Sequence, residues 1–365
     1  MRFNRPKITY FRLNRFCVPV IVFALIIYAT WAYCHKFCYD QVYVALNHKS
    51  IAIGLIVAEI ILALLVFGIW LQLVLIGPGK QPRVPPFRIV QDLGEEISSI
   101  DDEKPLSSII PPDVYQCDPQ GYPIWCSTCQ SLKMERTHHS STLGYCISRF
   151  DHYCVWIGTV VGRKNYRLFI QFNLYCDMLF CLIIISICCY LPRIVHQHKR
   201  LPQVNPNILI TLGLDCVGFL MVTPLLLSHI YYMMTNRTSI EILATKRHAK
   251  ATQTWFCYYN AVDGYRYVVE FLPREMQDFW NKHKILINIK EFLGQNAFMW
   301  LIPIGSNIED HDAITTNFDD ILGPYRETIS QRFREIIEHK IEKGEYVKSM
   351  RVYGDRCRDT LDHSV

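Results

Sequence analysis

The sequence Asp151-His152-Tyr153-Cys154-Val155-Trp156 is the feature around which this chain is organised, and it lies just before a long apolar span that begins near Leu168. The thiolate is the reactive form of cysteine, and a neighbouring imidazole lowers the thiol pKa. Asp151 could orient the His152 imidazole and stabilise its cation, as the third member of a catalytic triad does. The sequence therefore predicts a nucleophile, Cys154, tethered close to a membrane surface.

The composition indicates a membrane protein. The chain has 365 residues, of which 50% are hydrophobic, and its mean hydropathy is +0.11, values that are rare in a soluble domain of this size. The net charge of +5 is small, and the sequence contains no Lys/Arg-rich helix or aromatic-interleaved basic patch of the kind that binds nucleic acid. We therefore expect a membrane partner and no nucleic-acid partner.

Four apolar runs are long enough to cross a bilayer core of about 30 Å, which takes about 20 residues. They cover residues 16–33, 51–76, 168–191 and 208–234. The first run is too long for a signal-peptide core and lacks a small-residue cleavage site, so it predicts an uncleaved helix. Residues 34–50 and 192–207 are predicted to be short loops. The fold class that follows is an α-helical multi-pass membrane protein with four transmembrane helices.

Basic residues near the span ends predict the orientation, because cytosolic flanks carry more Lys and Arg. Lys and Arg near the span ends are more frequent within residues 1–15, 77–167 and 235–365 than within the two short loops. Both termini are therefore predicted to be cytosolic, in a plasma membrane or an endomembrane. The predicted domains are a cytosolic N-terminus (1–15), helices 1 and 2 (16–76), a cytosolic segment (77–167) with a cysteine-rich part at about 117–167, helices 3 and 4 (168–234), and a cytosolic C-terminal region (235–365).

Three carboxylates lie inside these spans: Glu59, Asp177 and Asp215. Charged groups at such depths are costly and usually face the bundle interior. They could be hydrogen-bonded packing groups or could line a transport path, and we expect packing groups. In the C-terminal region, residues 325–343 place five apolar side chains on one helical face, which predicts an amphipathic helix packed on the protein or on the membrane surface.

The cysteine-rich segment contains a metal-binding pattern, Cys126-x2-Cys129-x9-His139-x6-Cys146. Three thiolates and one imidazole complete a tetrahedral structural zinc site, and such a metal supplies folding energy to a segment with little core. His138 is an alternative ligand to His139.

Cys154 could also be a zinc ligand instead of a nucleophile. That assignment would give five thiol or imidazole candidates for four positions. The neighbours of Cys154, His152 and Asp151, favour the nucleophile.

These motifs together resemble the DHHC-type protein S-acyltransferases, and the resemblance covers most of the chain. It rests on the Cys-x2-Cys pair, Lys133, Arg136, the following His and Cys, and Asp-His-Tyr-Cys with Trp156. Gly77-Pro78-Gly79 is similar to the family's Asp-Pro-Gly, and Thr238-Ser239-Ile240-Glu241 is similar to its Thr-Thr-x-Glu. Gly162, Asn165 and the pair Asn288 and Gly294 also fit the family pattern. The Asp-His-Tyr-Cys variant and the short four-span form most resemble the yeast protein fatty acyltransferase 5 group.

One departure from the family pattern concerns its second zinc site. The resemblance implies that two zinc sites interleave, the second using the positions of Ser140, Leu143, Tyr153 and Val160, none of which is a usual zinc ligand here. The chain is therefore expected to bind one zinc ion. Tyr153 and Val160 could fill the vacated space by packing.

The resemblance implies a two-step acyl transfer. Cys154 would attack palmitoyl-CoA, and a cysteine of a membrane-associated substrate protein would then take the palmitoyl group. His152 would be the base, Asp151 its orienting partner, and Trp156 would help line the acyl path or anchor the chain at the interface. Two other classes stay open from the sequence: a non-catalytic membrane adaptor whose zinc module binds partners, and a transporter built on the three intramembrane carboxylates.

Overall fold

The computed structural model describes residues 6–87, 109–198, 204–247, 253–272, 275–306, 308–309 and 317–351. Within this part of the chain the backbone forms two compact units. Unit 1 comprises Met1–Gly77, His152–Tyr232 and Phe292–Asn307, and unit 2 comprises Pro78–Asp151, Met233–Glu291 and Ile308–Val365. Each unit is described by itself below.

The described helices include four long ones, all assigned wholly or almost wholly to unit 1. The α-helices are α1 (Pro6–Trp31), α2 (Lys49–Ile76), α3 (Tyr166–His198), α4 (Pro206–Met234), α5 (Ser239–Arg247), α6 (Ile285–Leu293), α7 (Phe318–Leu322) and α8 (Gln331–Glu342). A π-helix at Ala32–Ala45 follows α1 directly, and short 3₁₀ turns occur at Glu275–Asp278, Ala297–Trp300 and Gly323–Tyr325.

Four stretches of these helices are long and apolar enough to cross a membrane, which confirms the predicted four-span plan. They are Cys17–Ala45, Lys49–Ile76, Tyr166–His196 and Pro206–Met234. The prediction of a loop at 34–50 is wrong over most of its length, because the π-helix continues to Ala45. Tyr33, Phe37 and Val42 recur four to five residues apart and are fully buried, and that spacing suits the wider turn of a π-helix.

The second predicted loop, at 192–207, is also shorter than expected. Helix α3 continues through Pro192 to His198, and α4 begins at Pro206, where the fixed φ of proline suits a first helical position. Residues 199–203 lie outside the described part of the chain.

The described strands are short in the cysteine-rich segment and longer near the C-terminus. They are β1 (Val114–Cys117), β2 (Trp125–Cys126), β3 (Ser131–Leu132), β4 (His138–Ser140), β5 (Tyr145–Ile147), β6 (His152–Cys154), β7 (Thr159–Val161), β8 (Thr254–Asn260), β9 (Tyr265–Phe271) and β10 (Lys348–Arg351). Strands β2–β3, β4–β5 and β6–β7 form three antiparallel pairs, and the remaining four form an antiparallel sheet in the order β1-β8-β9-β10.

Unit 2 has a hydrophobic cluster between this four-stranded sheet and α8, and a second one that contains Tyr115, Val268 and Leu322. Phe333 and Ile337 of α8 are fully buried against Phe256 and Phe271 of the sheet. The amphipathic helix predicted at 325–343 is therefore confirmed over Gln331–Glu342 as a helix packed on protein, whereas residues 325–330 lie outside it. The sequence analysis missed the sheet, although Asp263-Gly264 between two β-rich runs is a recognised hairpin signal.

The segment that follows α6 belongs to unit 1, the unit that contains the four membrane-spanning stretches. Gln171 of α3 donates hydrogen bonds to the carbonyls of Met299, Trp300 and Ile302, and Arg167 donates to Ile304 and Gly305. The side chains of Phe298, Leu301 and Ile304 in this segment are exposed. The backbone polar groups thus face α3 while three apolar side chains face outward, as suits a segment at a membrane interface.

Candidate active site and metal centre

The candidate metal centre is formed by two hairpins of unit 2. Cys126 lies on β2, Cys129 lies in the turn that joins β2 to β3, and His139 and Cys146 face each other across β4 and β5. The His139 Nδ1 atom lies 3.6 Å from the Cys126 Sγ, 3.3 Å from the Cys129 Sγ and 3.9 Å from the Cys146 Sγ. All four ligand atoms lie within 4.8 Å of one another, so the predicted ligands are brought together.

These distances fit a tetrahedral zinc ion. Zinc binds thiolate sulfur at about 2.3 Å and imidazole nitrogen at about 2.0 to 2.1 Å, which places sulfur and nitrogen about 3.6 Å apart at a tetrahedral angle. The three sulfur–nitrogen distances range around that value. His138, the alternative ligand, is outside this group: it is exposed, and its ring lies 5.9 Å from that of Phe150. Neighbouring residues of a strand point to opposite faces, so His138 and His139 cannot share one site from β4.

The carboxylate of Asp151 is held at the start of helix α5. The backbone N–H of Ser239 donates to Asp151 Oδ1 at 2.7 Å, and the Ser239 hydroxyl donates to Oδ2 at 2.9 Å. Thr238 and Glu241 cap the same helix reciprocally, since the Thr238 N–H donates to the Glu241 carboxylate and the Glu241 N–H donates to the Thr238 hydroxyl. A helix N-terminus favours negative charge, so this position suits the side chain of the fully buried Asp151.

Two buried arginines surround this part of unit 2. Arg136 donates to both oxygens of Glu241 at 2.8 and 3.0 Å and lies over the Trp280 ring. Arg149 forms a two-pronged pair with Glu327 at 2.7 and 2.6 Å. Burial alone would lower the pKa of Arg149, but Glu327 outweighs burial and holds it above its ordinary value. The sequence analysis noted Arg136 and Glu241 as family matches, and the structure shows that they pair.

Cys154 and His152 lie on the β6 strand of a tight hairpin in unit 1. The Gly158 N–H donates to the Cys154 carbonyl at 2.9 Å, and Gly158 has φ of +80°, a conformation that favours glycine. The Asn165 amide donates to the Val160 carbonyl, and its oxygen accepts from the Gly162 N–H, both at 2.9 Å. Buried Asn165 thus connects the β6–β7 hairpin to α3, which begins at the next residue, Tyr166.

His229 is a candidate that the sequence analysis missed. It lies on α4, is buried, and its ring centroid is 5.7 Å from that of His152. Its Nδ1 atom is 2.8 Å from the hydroxyl of Tyr166, and its ring contacts Phe169 edge to face. A lone histidine inside an apolar span gave no spacing signal, because its neighbour His152 is 77 residues away in the sequence.

Cys154 also lines an apolar cavity of about 360 Å³ within unit 1. The thiol residue is 6% exposed, and Trp156 and Ile157 of the same hairpin line the cavity beside it. The rest of the wall comes from side chains of α1, α3 and α4. The cavity therefore joins the predicted nucleophile to the interior of the helix bundle.

The four positions at which the resemblance implies the loss of a second zinc site fall in two hairpins. Tyr153 and Val160 face each other across β6 and β7. In the β4–β5 hairpin the Ser140 hydroxyl accepts a hydrogen bond from the Leu143 N–H at 3.3 Å. Tyr153 and Val160 are thus held together by strand pairing, and Ser140 and Leu143 by a hydrogen bond within the turn of their hairpin.

Comparison with known proteins identifies similar chains over nearly the whole length. The sequence profile of the family described as DHHC palmitoyltransferase matches residues 120–246. Palmitoyltransferase PFA5 of Kluyveromyces lactis is 48% identical over 341 residues, which are 93% of this chain and 95% of the relative. Palmitoyltransferase PFA5 of Saccharomyces cerevisiae is 48% identical over 353 residues, 93% and 94% of the two chains. Palmitoyltransferase ZDHHC15 of Rattus norvegicus is 27% identical over 199 residues, 54% of this chain and 51% of the relative.

Proposed function

Since the chain belongs to the DHHC palmitoyltransferase family, within its PFA5 group, and is a protein S-palmitoyltransferase, we propose that it transfers palmitate through an acyl thioester on Cys154. The acyl donor is palmitoyl-CoA, and the acceptors are cysteines of membrane-associated proteins. Because the group acylated in the acceptor is a cysteine thiol, the enzyme is more specifically proposed to be a protein-cysteine S-palmitoyltransferase.

The observation that carries the proposal is the position of Cys154 in the wall of the apolar cavity. An acyl chain gains about 0.8 kcal/mol for each CH₂ that stays in hydrophobic surroundings. A thiol in the wall of the cavity can form a bond to the carbonyl carbon of the acyl chain while the chain itself stays buried. Trp156 lines the same cavity, which supports its proposed role in binding the acyl donor.

The chemistry proceeds in two balanced exchanges. In the first, the Cys154 sulfur forms a bond to the thioester carbon, the bond from that carbon to the CoA sulfur breaks, and His152 passes the proton from Cys154 to the departing thiolate. In the second, the thiolate of a substrate cysteine takes the acyl group, and Cys154 leaves. One thioester replaces another in each step, so little driving force is needed.

Asp151 has the role of orienting His152, its neighbour in the chain, and of stabilising the imidazolium. Support comes from the two hydrogen bonds of Ser239, which hold the Asp151 carboxylate in one position. An orienting carboxylate must itself be fixed, because a freely rotating partner would not select one imidazole geometry.

The bound metal is proposed to be one zinc ion, held by Cys126, Cys129, His139 and Cys146. When bound it supplies folding energy to the two hairpins and takes no part in acyl transfer. Both termini and the cysteine-rich segment are proposed to be cytosolic, in a plasma membrane or an endomembrane, on the basis of the charge distribution.

The experiment uses purified full-length protein with labelled palmitoyl-CoA. We expect a hydroxylamine-labile adduct on Cys154, no adduct in Cys154→Ala, and much slower loading in His152→Ala. Cys189→Ala, which removes an exposed thiol of α3, is the matched control and should load like the wild type. Undiminished labelling of Cys154→Ala would refute the assignment of Cys154 as the nucleophile. Full biological function of that variant would favour the alternative that the protein is a non-catalytic adaptor.

A further inference from the structure

The proposed base, His152, lies on the same face of a strand as the proposed nucleophile. His152 and Cys154 are two residues apart on β6, and alternate residues of a strand project from one face. A histidine removes a proton only through a ring nitrogen that faces it, and the hydrogen bond made by the other nitrogen decides which one carries the proton. The imidazole of His152 therefore needs partners that fix its rotation.

A second histidine lies beside this ring. His229 of α4 is 2% exposed, and its ring centroid lies 5.7 Å from that of His152. One ring nitrogen of each histidine lies within 4.8 Å of the other, which is within reach of a hydrogen bond made directly or through one water molecule. Phe169 contacts both rings, at centroid distances of 5.4 Å from His152 and 4.9 Å from His229. The three rings therefore form one cluster.

His229 is itself held by a tyrosine. The hydroxyl of Tyr166, which is 1% exposed, lies 2.8 Å from the His229 Nδ1 atom. The Tyr166 ring packs on Phe292 at 4.8 Å, and the Tyr232 ring packs on His229 at 5.3 Å. Because Tyr166 bonds to Nδ1, we assign the interaction with His152 to the second nitrogen of His229, Nε2.

His229 lies apart from the space proposed for the acyl chain. Within the described part of unit 1, Cys154 and Phe169 line the apolar cavity, whereas His229 and Tyr166 do not. A change at His229 therefore leaves the proposed acyl-binding surface intact. Its effect on Cys154 is expected to pass through the ring of His152.

We propose that His229 is a positioning residue for acyl transfer, which holds the His152 imidazole in the orientation that takes the proton of Cys154. This inference rests on the proposed acyl thioester at Cys154. In both exchanges the proton moves between His152 and a sulfur atom, and His229 keeps its own proton throughout. His229 thus acts on the same ring as Asp151, and Tyr166 in turn limits the rotation of His229.

Two amide variants separate the two nitrogens of His229. The amide of Asn lies near the position of Nδ1, and the longer side chain of Gln places its amide near that of Nε2. His229→Asn should keep the contact with Tyr166 and lose the contact with His152. Its maximal rate of Cys154 loading should therefore fall about tenfold to a hundredfold, with an unchanged half-saturating concentration of palmitoyl-CoA. His229→Gln should load several-fold faster than His229→Asn.

The measurement uses purified full-length protein and labelled palmitoyl-CoA over a range of concentrations. Because His229 acts through His152, the double variant His152→Ala/His229→Asn should load no more slowly than His152→Ala alone. A second histidine–tyrosine pair provides the matched control. His48 Nδ1 lies 3.1 Å from the Tyr190 hydroxyl, and Tyr190 is 24 residues beyond Tyr166 on α3, about 36 Å along the helix. His48→Asn should load like the wild type.

Equal loading by His229→Asn and the wild type would overturn the proposal, as would faster loading by His229→Asn than by His229→Gln. Additive slowing in the double variant would assign His229 to the stability of the helices instead. If His229→Asn does not fold, Tyr166→Phe is compared with Tyr190→Phe, since each loses one hydroxyl. Tyr166→Phe should then load more slowly, and equal rates would overturn the proposal. Absence of an acyl group on Cys154 of the wild type would refute the proposed function itself, so the two failures are distinct.

Discussion

The β4–β5 and β6–β7 hairpins are nearly the same size, yet they are held by different means. His139 and Cys146 of the first pair across the strands and meet Cys126 and Cys129 in a metal-binding geometry. The thiol of the second hairpin, Cys154, lies outside this metal-binding group. That hairpin is fixed by hydrogen bonds from Asn165 and from Trp70, whose indole N–H donates to the Ile157 carbonyl. The difference teaches that a hairpin can be positioned either by metal ligands, which β4–β5 shares with β2–β3, or by hydrogen bonds alone, as in β6–β7, which carries the proposed nucleophile.

The largest expected effect is loss of the metal. Structural zinc contributes about 10 to 16 kcal/mol in small metal-dependent domains, so Cys129→Ser should unfold the β2–β5 region. Metal analysis should show loss of zinc, and hydrogen exchange should show loss of protection at residues 125–147. Cys188→Ser, which changes an exposed thiol of α3, is the control and should keep both the zinc ion and the protection from hydrogen exchange. Retained zinc in Cys129→Ser would contradict the ligand assignment.

The complementary change in the second hairpin is Asn165→Ala. It leaves the buried Val160 carbonyl and Gly162 N–H without their partner, which costs about 1 to 3 kcal/mol for each group. We expect a lower melting temperature, slower loading of Cys154 and an unchanged zinc content. A drop in zinc content equal to that of Cys129→Ser would show that the two hairpins are not stabilised independently.

Ser239→Ala tests how the Asp151 carboxylate is held. The variant loses the hydroxyl bond to Asp151 Oδ2 but keeps the backbone bond to Oδ1. A hydrogen bond to a charged group contributes about 1.5 to 3 kcal/mol, so loading should slow by roughly ten- to a hundredfold. Ser239→Thr restores a hydroxyl and should restore the rate, with a pH profile like that of the wild type. Failure of Thr to rescue would assign Ser239 a different role.

The smallest effect is expected from Tyr153→His, which restores a histidine of the family pattern. One imidazole supplies one ligand, and Ser140, Leu143 and Val160 supply none, so no second zinc site should form. Tyr153 pairs with Val160 across the hairpin, and its ring buries more apolar area than an imidazole, so stability should stay equal or fall slightly. A second zinc, or faster loading with higher stability, would refute the packing role of Tyr153.

The sequence predicted the parts of this molecule whose spacing is local. The metal ligands lie within 21 residues, and the four spans are continuous apolar runs, so both could be predicted without knowledge of the fold. His229 and Ser239 could not be assigned roles, because their partners His152 and Asp151 lie 77 and 88 residues away. The four-stranded sheet could not be predicted for the same reason, since the paired residues of β1 and β8 lie 138 or more positions apart.

The most direct measurement is native mass spectrometry of the purified full-length chain after incubation with palmitoyl-CoA. The wild type should carry one zinc ion and one acyl group on the same chain, and Cys154→Ser should carry the zinc ion without the acyl group. Two zinc ions per chain would contradict the proposal of a single zinc site at Cys126, Cys129, His139 and Cys146. An acyl group retained by Cys154→Ser at the wild-type level would contradict the assignment of Cys154 as the nucleophile.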